Sequence, residues 1–225
     1  MKKETTRNSH LSDGDLKQTA DVLAASITRD TVDFATRNVN ATTVNNLKTL
    51  TSNFDNHSTD EELLGELTAA TASKDAVANN IKIAVRPIRN MAENVYGNEG
   101  KYKSFGFTDM DGMSDANLYR LAKRVVRVGT KYLAELTVEG LTATQLTALA
   151  TLATSLDTGL DKIEEAIENR DIETQERIKK ANLLWAEMMR LTGIGKSIYA
   201  DVNEAKYNDY VLTESGDAPT AATPA

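Results

Sequence analysis

The chain has 225 residues, enough for one large domain or for two domains of about 100 residues each. It contains no cysteine, which excludes disulfides, thiol catalysis and thiolate metal sites, and its net charge of -7 gives the whole chain no electrostatic attraction to nucleic acid or anionic lipid. Aromatic residues make up only 5%, and the apolar content relies on small side chains, which favours closely packed helices over a sheet.

The chain begins with a polar segment, residues 1–10, that we expect to be flexible. Ser12 can cap a first helix, whose apolar residues recur at spacings of three and four to about residue 38. Asn40 can cap a second helix with a similar apolar face. A capping-box pattern near residues 57–62 predicts that this second helix is interrupted or restarted there.

A third helix should complete the first half of the chain. Ser73-Lys74-Asp75 predicts a tight turn and a new helix start, and Pro87 should kink or split the helix that follows. Tyr96 is then followed by two glycines within four residues, which predicts the end of this helix. We therefore expect a first three-helix unit over residues 11–107.

The second half repeats this plan over residues 113–212. Its first helix is predicted over about 114–136, and Thr142 can cap the next one. Asn169-Arg170-Asp171 predicts the turn before the last long helix. The tail over residues 213–225 lacks the apolar side chains needed to offset its ordering entropy, so we expect it to be disordered.

The two halves also align as an internal repeat. Residues 11–55 match residues 113–157 at a constant offset of 102, and further blocks match at offsets of 97 and 105. The drop from 102 to 97 places about five extra residues of the first copy near residues 57–62. Because each copy of a repeat is one structural unit, the sequence predicts an all-α, elongated helical bundle of two tandem three-helix units. The identities include Ser12/Ser114, Leu16/Leu118, Ala20/Ala122, Leu47/Leu149, Asp55/Asp157, Met91/Met188 and Lys101/Lys206.

Two short motifs suggest chemistry, but each has a simpler explanation. Gly193-Ile194-Gly195-Lys196-Ser197 has part of a phosphate-loop pattern, yet Arg190 stands where that motif needs a glycine. These glycines are better explained as the end of a helix. His57 lies near several carboxylates and could bind a metal weakly, but an exposed turn explains it better. We predict no catalytic residue, metal site or cofactor.

Both predicted units end in a Lys-Tyr pair followed by another aromatic residue. The pairs are Lys101-Tyr102 and Lys206-Tyr207, and the later rings are Phe105 and Tyr210. We expect the rings to fold back and close the open end of each bundle, with the phenol oxygens reaching solvent.

One helix carries an unusual set of charges. In residues 118–136, five basic side chains recur at spacings of 3, 1, 3 and 4, which places them along one helix face. Five basic residues and one acidic residue give this segment a net charge of +4 inside a chain of -7. The corresponding positions of the first copy are Gln18, Asp21, Val22, Ala25 and Arg29, so folding does not require the stripe. The five residues of the stripe are Arg120, Lys123, Arg124, Arg127 and Lys131.

Two interpretations of this stripe remain open. In the first, it is neutralised internally by the acidic segment 157–176, which has eight acidic and two basic residues. In the second, it docks an acidic protein, another copy of the chain or a phosphate-bearing polymer. The contrast of Val22 with Arg124 further suggests that the two copies bury different parts of this helix.

These observations predict a non-catalytic scaffold or adaptor that acts through protein–protein contacts, including self-association. The alternative is a binding module that uses the basic helix for an anionic ligand such as nucleic acid. An enzyme whose site forms only on oligomerisation is a third and weaker hypothesis. The start of the chain shows no secretory signal, and no stretch approaches the roughly 18 apolar residues of a membrane span. We therefore expect a cytoplasmic protein.

Overall fold

A computed structural model describes residues 6–107 and 110–212. Within these ranges the regular structure is entirely helical, with no strand, which confirms the all-α prediction. No helix among the described residues combines the length and apolar content needed to cross a membrane. The tail 213–225 lies outside the described residues. In chain order the helices are α1 (Asp13–Arg29), α2 (Thr31–Ala35), α3 (Ala41–Asp55), α4 (Asp60–Tyr96), α5 (Gly100–Phe105), α6 (Asp115–Lys131), α7 (Leu133–Leu136), α8 (Ala143–Tyr199) and α9 (Glu204–Asn208), with a 3-10 turn at Thr137–Glu139 after α7.

The predicted caps start the helices at matching places in the two halves. The hydroxyl of Ser12 accepts a hydrogen bond from the Asp15 amide at the start of α1, and the hydroxyl of Ser114 accepts one from the Asn117 amide at the start of α6. These bonds satisfy amides that the first turn of a helix leaves unpaired. Asn40 caps α3 in the same way.

The described residues form two compact units. Unit 1 contains residues 6–60 and 171–212, and unit 2 contains residues 61–107 and 110–170. In unit 1, α1, α3 and the second half of α8 bury a core around fully enclosed residues such as Leu16. In unit 2, α4, α6 and the first half of α8 enclose a second core. Each unit is therefore discontinuous in sequence, unlike the predicted tandem units 11–107 and 113–212.

The reason is the continuity of the two long helices. The predicted turns at Ser73-Lys74-Asp75 and Asn169-Arg170-Asp171 are wrong, because α4 and α8 pass through them without a break. Neither segment contains a glycine or proline to stop the helix. A continuous helix cannot fold back on itself, so the residues of α8 after 171 pack in unit 1 and those before 171 pack in unit 2. Pro87 also fails to split α4.

The helix interruption predicted near residues 57–62 is confirmed. Helix α3 ends at Asp55 and α4 begins at Asp60, so residues 56–59 separate two helices. The corresponding part of the second half lies inside α8, which continues without a break. The first predicted helix is shorter than expected, because α1 ends at Arg29 and the short α2 follows it.

The described part of the polar start is held against unit 1. The Asn8 amide donates to the side-chain oxygen of Asn182 at 2.8 Å, and Ser9 is buried. Arg7 forms an ion pair with Asp13. Residues 6–10 therefore make specific contacts with α1 and α8, whereas residues 1–5 lie outside the described residues.

Two glycines near the end of α8 have different surroundings. The expectation that Gly193 and Gly195 end the helix is wrong, because α8 continues to Tyr199. A Cβ atom on Gly195 would lie 2.4 Å from the ring Cγ of the fully buried Tyr210, whereas one on Gly193 would meet nothing within 4 Å. Gly195 thus lets the Tyr210 ring pack directly on the helix backbone.

We predict opposite effects of alanine at these two positions. Gly195→Ala should lower the free energy of unfolding by about 2 kcal/mol, because a rigid buried ring must move. Gly193→Ala is the control in the same helix and should raise it by up to about 1 kcal/mol, because alanine is the better helix former. Chemical denaturation followed by circular dichroism measures both, and equal effects would contradict the packing role of Gly195.

Candidate partner-binding face

Helix α6 is strongly amphipathic. Its buried residues lie on one side and face the core of unit 2. Gly129 lies on this side, and a Cβ atom there would come within 2.7 Å of a Leu146 methyl group, so the glycine allows α6 and α8 to approach closely. The apolar side of α6 is thus fixed by packing, and this determines which side faces solvent. The buried residues are Leu118, Leu121, Ala122, Val125 and Gly129.

The opposite side of α6 carries all five predicted basic residues, and each of them is exposed. From the first to the last they span about 17 Å, because a helix rises about 1.5 Å per residue. The structure therefore brings the predicted set together on one surface, which we call the basic face. Its members are Arg120, Lys123, Arg124, Arg127 and Lys131.

The basic face is not neutralised by ion pairs within the described part of the chain. Other lysines of unit 2 are paired: the Lys74 ammonium lies 2.6 Å from Asp115, and the Lys101 ammonium lies 2.6 Å from Glu135. By contrast, Lys123 and Lys131 lie over aromatic rings. The ammonium of Lys123 lies over Tyr119, and the ammonium of Lys131 lies 5.1 Å from the ring centre of Tyr132. The five charges are thus available to a partner.

Arg124 also has a structural contact. Its guanidinium lies against Gly106 in the connection between α5 and α6, where a Cβ atom would come within 2.1 Å of a guanidinium nitrogen. Gly106 has a positive φ of 68°, a backbone conformation that glycine adopts without strain. The connection therefore accommodates Arg124 close to its backbone while leaving the residue exposed.

The corresponding face of α1 has a different chemistry. Val22 is 53% exposed, so the prediction that the two copies bury different parts of this helix is wrong: both bury the same side. Asp21 pairs with Lys17 across one helix turn at 2.9 Å. Arg29 contacts both Asp30 and Asp209. The outward surface of α1 therefore offers no run of unpaired cations among the described residues.

Internal neutralisation by the acidic segment is not observed in the described residues of unit 2. Asp157, Asp161, Glu164 and Glu168 are exposed on α8, and no ion pair joins them to the basic face. Helical periodicity alone could not predict where these carboxylates lie, because it does not indicate which helices pack beside α6.

His57 is the one histidine that sequence reasoning considered as a ligand. Its side chain is only 8% exposed, so the expectation of an exposed turn residue is wrong. The Lys180 ammonium lies 2.9 Å from Nδ1, and Nε2 lies 2.9 Å from the backbone oxygen of Glu173. Both ring nitrogens are therefore engaged by protein. No cluster of three metal-ligating side chains occurs among the described residues.

A buried carboxylate organises the end of unit 1. The side chain of Asp30 is 1% exposed and accepts hydrogen bonds from the Arg29 guanidinium at 2.7 Å and the Tyr210 hydroxyl at 2.9 Å. The Lys206 ammonium lies 2.8 Å away. These partners, Arg29 above all, hold the pKa of Asp30 well below its usual range although burial opposes this. The carboxylate is thus charged and fully partnered.

The aromatic endings pack as predicted in part. Phe105 and Tyr210 are both fully buried, one in each unit, so these rings fold back onto the helices. The prediction that the phenol oxygens reach solvent is wrong for Tyr210, whose hydroxyl donates to the buried Asp30. Burial and the Asp30 charge raise the pKa of Tyr210 far above its ordinary value.

A second tyrosine of unit 1 lies beside a lysine and a carboxylate. The hydroxyl of Tyr199 donates to Asp33 at 2.6 Å, and the Lys206 ammonium lies 4.9 Å from its ring centre. Burial, followed by the Asp33 hydrogen bond, raises the pKa of Tyr199 to about 12. The phenol therefore remains protonated at neutral pH and acts as a donor.

Unit 2 also brings together a tyrosine, a lysine and a carboxylate. The Lys101 ammonium lies 5.3 Å from the ring centre of Tyr96 and pairs with Glu135. Burial first, and then the nearby Glu135 carboxylate, raise the pKa of Tyr96 to about 12. The sequence indicated Lys101 and Lys206 but not the carboxylates beside them. Glu135 lies in the short helix α7 and Asp33 in the short helix α2, so each carboxylate belongs to the predicted unit that does not contain its lysine.

Comparisons with protein-family models, with curated proteins and with solved structures found no match to this chain. The geometry of the chain itself is therefore the basis on which its function is inferred.

We predict that Asp30 stabilises unit 1 in a pH-dependent manner. Asp30→Ala should lower the free energy of unfolding by about 2–3 kcal/mol at neutral pH, because it leaves the buried Tyr210 hydroxyl without its acceptor and removes the nearer of the two carboxylates beside Lys206. Asp21→Ala removes an exposed ion pair and should leave the free energy of unfolding nearly unchanged.

The pH dependence follows from the lowered pKa of Asp30. Its contribution is present above the unfolded-state pKa of about 3.9 and is lost as the pH falls towards the folded-state value. The difference between wild type and Asp30→Ala should therefore be constant from neutral pH down to about 5 and should shrink below about 4. Urea denaturation over this range measures it. A difference that grows on acidification would contradict the assignment.

Proposed function

We propose that this protein is a non-catalytic helical scaffold or adaptor that uses the basic face of α6 to dock an acidic protein surface. The single observation that carries the proposal is the run of five exposed cations without carboxylate partners in the described residues. Holding them on a helix fixed by its buried side gives a partner a preorganised surface, which lowers the entropy cost of binding.

An acidic protein fits this face better than nucleic acid does. Residues 61–170 contain 13 basic and 16 acidic residues, a net charge of -3, and the whole chain has a net charge of -7. The surroundings of the face would therefore repel a long polyanion while leaving a local attraction for a short acidic surface. Nucleic-acid binding through the same residues is the alternative function, and comparing the binding of an acidic peptide with that of DNA distinguishes the two.

The non-catalytic part of the proposal is supported by how the buried polar groups are used. Asp30 in unit 1 is fully engaged by Arg29, Lys206 and Tyr210. His57 has both ring nitrogens occupied by protein groups. Groups that are saturated by their neighbours act as structural links rather than as acids or bases for a substrate.

We further infer that the chain arose by internal duplication. The caps Ser12 and Ser114 lie 102 residues apart, as do the positive-φ residues Asn38 and Gly140. The amide of Val39 donates to the Phe34 carbonyl, and the residues 102 positions later, Leu141 and Leu136, form the same bond. If the copies share one ancestor, the basic face is a property that only the second copy acquired or kept.

We predict that reversing two charges of the basic face strongly weakens binding of a short acidic peptide. In Arg124→Glu/Arg127→Glu, binding of a short oligo-L-glutamate peptide at low salt should fall by on the order of tenfold or more, because attraction becomes repulsion. The control Arg37→Glu/Lys103→Glu reverses two exposed cations elsewhere, changes the net charge equally and should retain binding. Fluorescence anisotropy at two salt concentrations measures both.

A DNA oligonucleotide of matched charge tests the alternative in the same assay. Weak DNA binding that does not depend on Arg124 and Arg127 supports the protein-docking function. Tighter binding of DNA than of the oligo-L-glutamate peptide, lost in the same variant, would replace it with the nucleic-acid alternative. Equal loss in the control variant, or no binding of either polymer, would overturn the role of the basic face altogether.

A further inference from the structure

Unit 2 exposes an acidic stripe as well as the basic face. Asp157, Asp161, Glu164 and Glu168 follow one another along α8 at spacings of four, three and four residues. These spacings place the four carboxylates on one side of a helix. All four are exposed, and none has an ion-pair partner among the described residues. We call this set the acidic face.

The acidic face matches the basic face in spacing and length. Four of the five cations, Arg120, Arg124, Arg127 and Lys131, also follow one another at four, three and four residues. In each set the first and last residues are 11 positions apart, or about 17 Å along the helix. Because the order four, three, four reads the same in both directions, the charges can align whether the two helices run parallel or antiparallel.

Neither face can satisfy the other within one molecule without unfolding unit 2. The buried side of α6 fixes its cations on the opposite, outward side. The carboxylates lie on a helix whose own apolar residues, such as Leu149 and Leu156, are enclosed in the same core. Rotating either helix to bring the faces together would expose these residues to water, at a cost that exposed ion pairs do not offset.

We propose that the acidic partner of the basic face is a second copy of this chain, with α6 of one copy lying along the acidic face of α8 in the other. This inference rests on the proposed docking function and names its partner. Each copy supplies both faces, so two copies that make both contacts close into a symmetric pair, and copies that make one contact each extend into a chain.

The association should be strongly salt-dependent, because both faces are exposed to solvent. Screening acts over about 30 Å at 0.01 M salt and over only about 10 Å at 0.1 M. Self-association should therefore rise with protein concentration at the lower salt and should weaken on the order of tenfold at the higher salt. Analytical ultracentrifugation of the full chain measures this directly.

Charge reversal of the central positions tests the pairing itself. The central positions are Arg124 and Arg127 of the basic face and Asp161 and Glu164 of the acidic face, which lie opposite one another whether the two helices run parallel or antiparallel. Arg124→Glu/Arg127→Glu and Asp161→Lys/Glu164→Lys should each remain monomeric on the order of tenfold above the concentration at which wild type associates. The chain that combines all four substitutions should associate again, and so should an equimolar mixture of the two double variants. A purely structural role of these residues cannot produce this rescue.

The outcomes separate this inference from the proposed function. A wild type that stays monomeric at low salt, or double variants that fail to rescue each other while remaining folded by circular dichroism, would overturn pairing between copies. If binding of the oligo-L-glutamate peptide is still lost in Arg124→Glu/Arg127→Glu and retained in the control variant, the docking function stands with a different acidic partner. If that binding is unaffected, both proposals fall.

Discussion

The continuity of α8 is the constraint on which the architecture depends. It runs for 57 residues without an internal break, and its two halves are buried in two different cores. Because a helix cannot fold back on itself, a chain with this element cannot form two tandem bundles. Unit 1 instead combines α1 and α3 from the first half of the chain with the end of α8. Unit 2 combines α6 and the start of α8 from the second half of the chain with α4 from the first half. The residues Asn169-Arg170-Asp171 allow this simply by lacking a helix breaker.

The two units differ in how the last cation of α1 and the last cation of α6 are partnered. In unit 1 a buried carboxylate, Asp30, draws Arg29 and Lys206 into a closed network, so the charges stabilise the fold. In unit 2 the residue that corresponds to Asp30 is Tyr132, and the neighbouring Lys131 keeps its charge at the surface. The cation at the end of α1 is thus part of an internal network, whereas the cation at the end of α6 is exposed and has no carboxylate partner among the described residues.

The proposed adaptor function would use two similar helical frameworks with different outward surfaces. The caps and turns that recur 102 residues apart maintain the helical framework in both halves. The exposed positions of α1 and α6 are free to differ because packing does not use them. The proposed docking does not require a deep pocket, because a fixed helix with several aligned charges can orient a partner and speed its association, although each exposed ion pair contributes little by itself.

The sequence alone determined the helical class, the capping residues, the break at residues 56–59 and the grouping of the basic residues, because each depends on neighbours within one or two turns. Only the tertiary structure decided that α4 and α8 are continuous, that His57 is enclosed and that Tyr210 donates to Asp30 across 180 residues. Polar residues such as those at 73–75 suit a turn or an exposed helix equally well by propensity. The choice between them is made by which distant apolar surfaces must be buried, and local periodicity contains no information about that pairing.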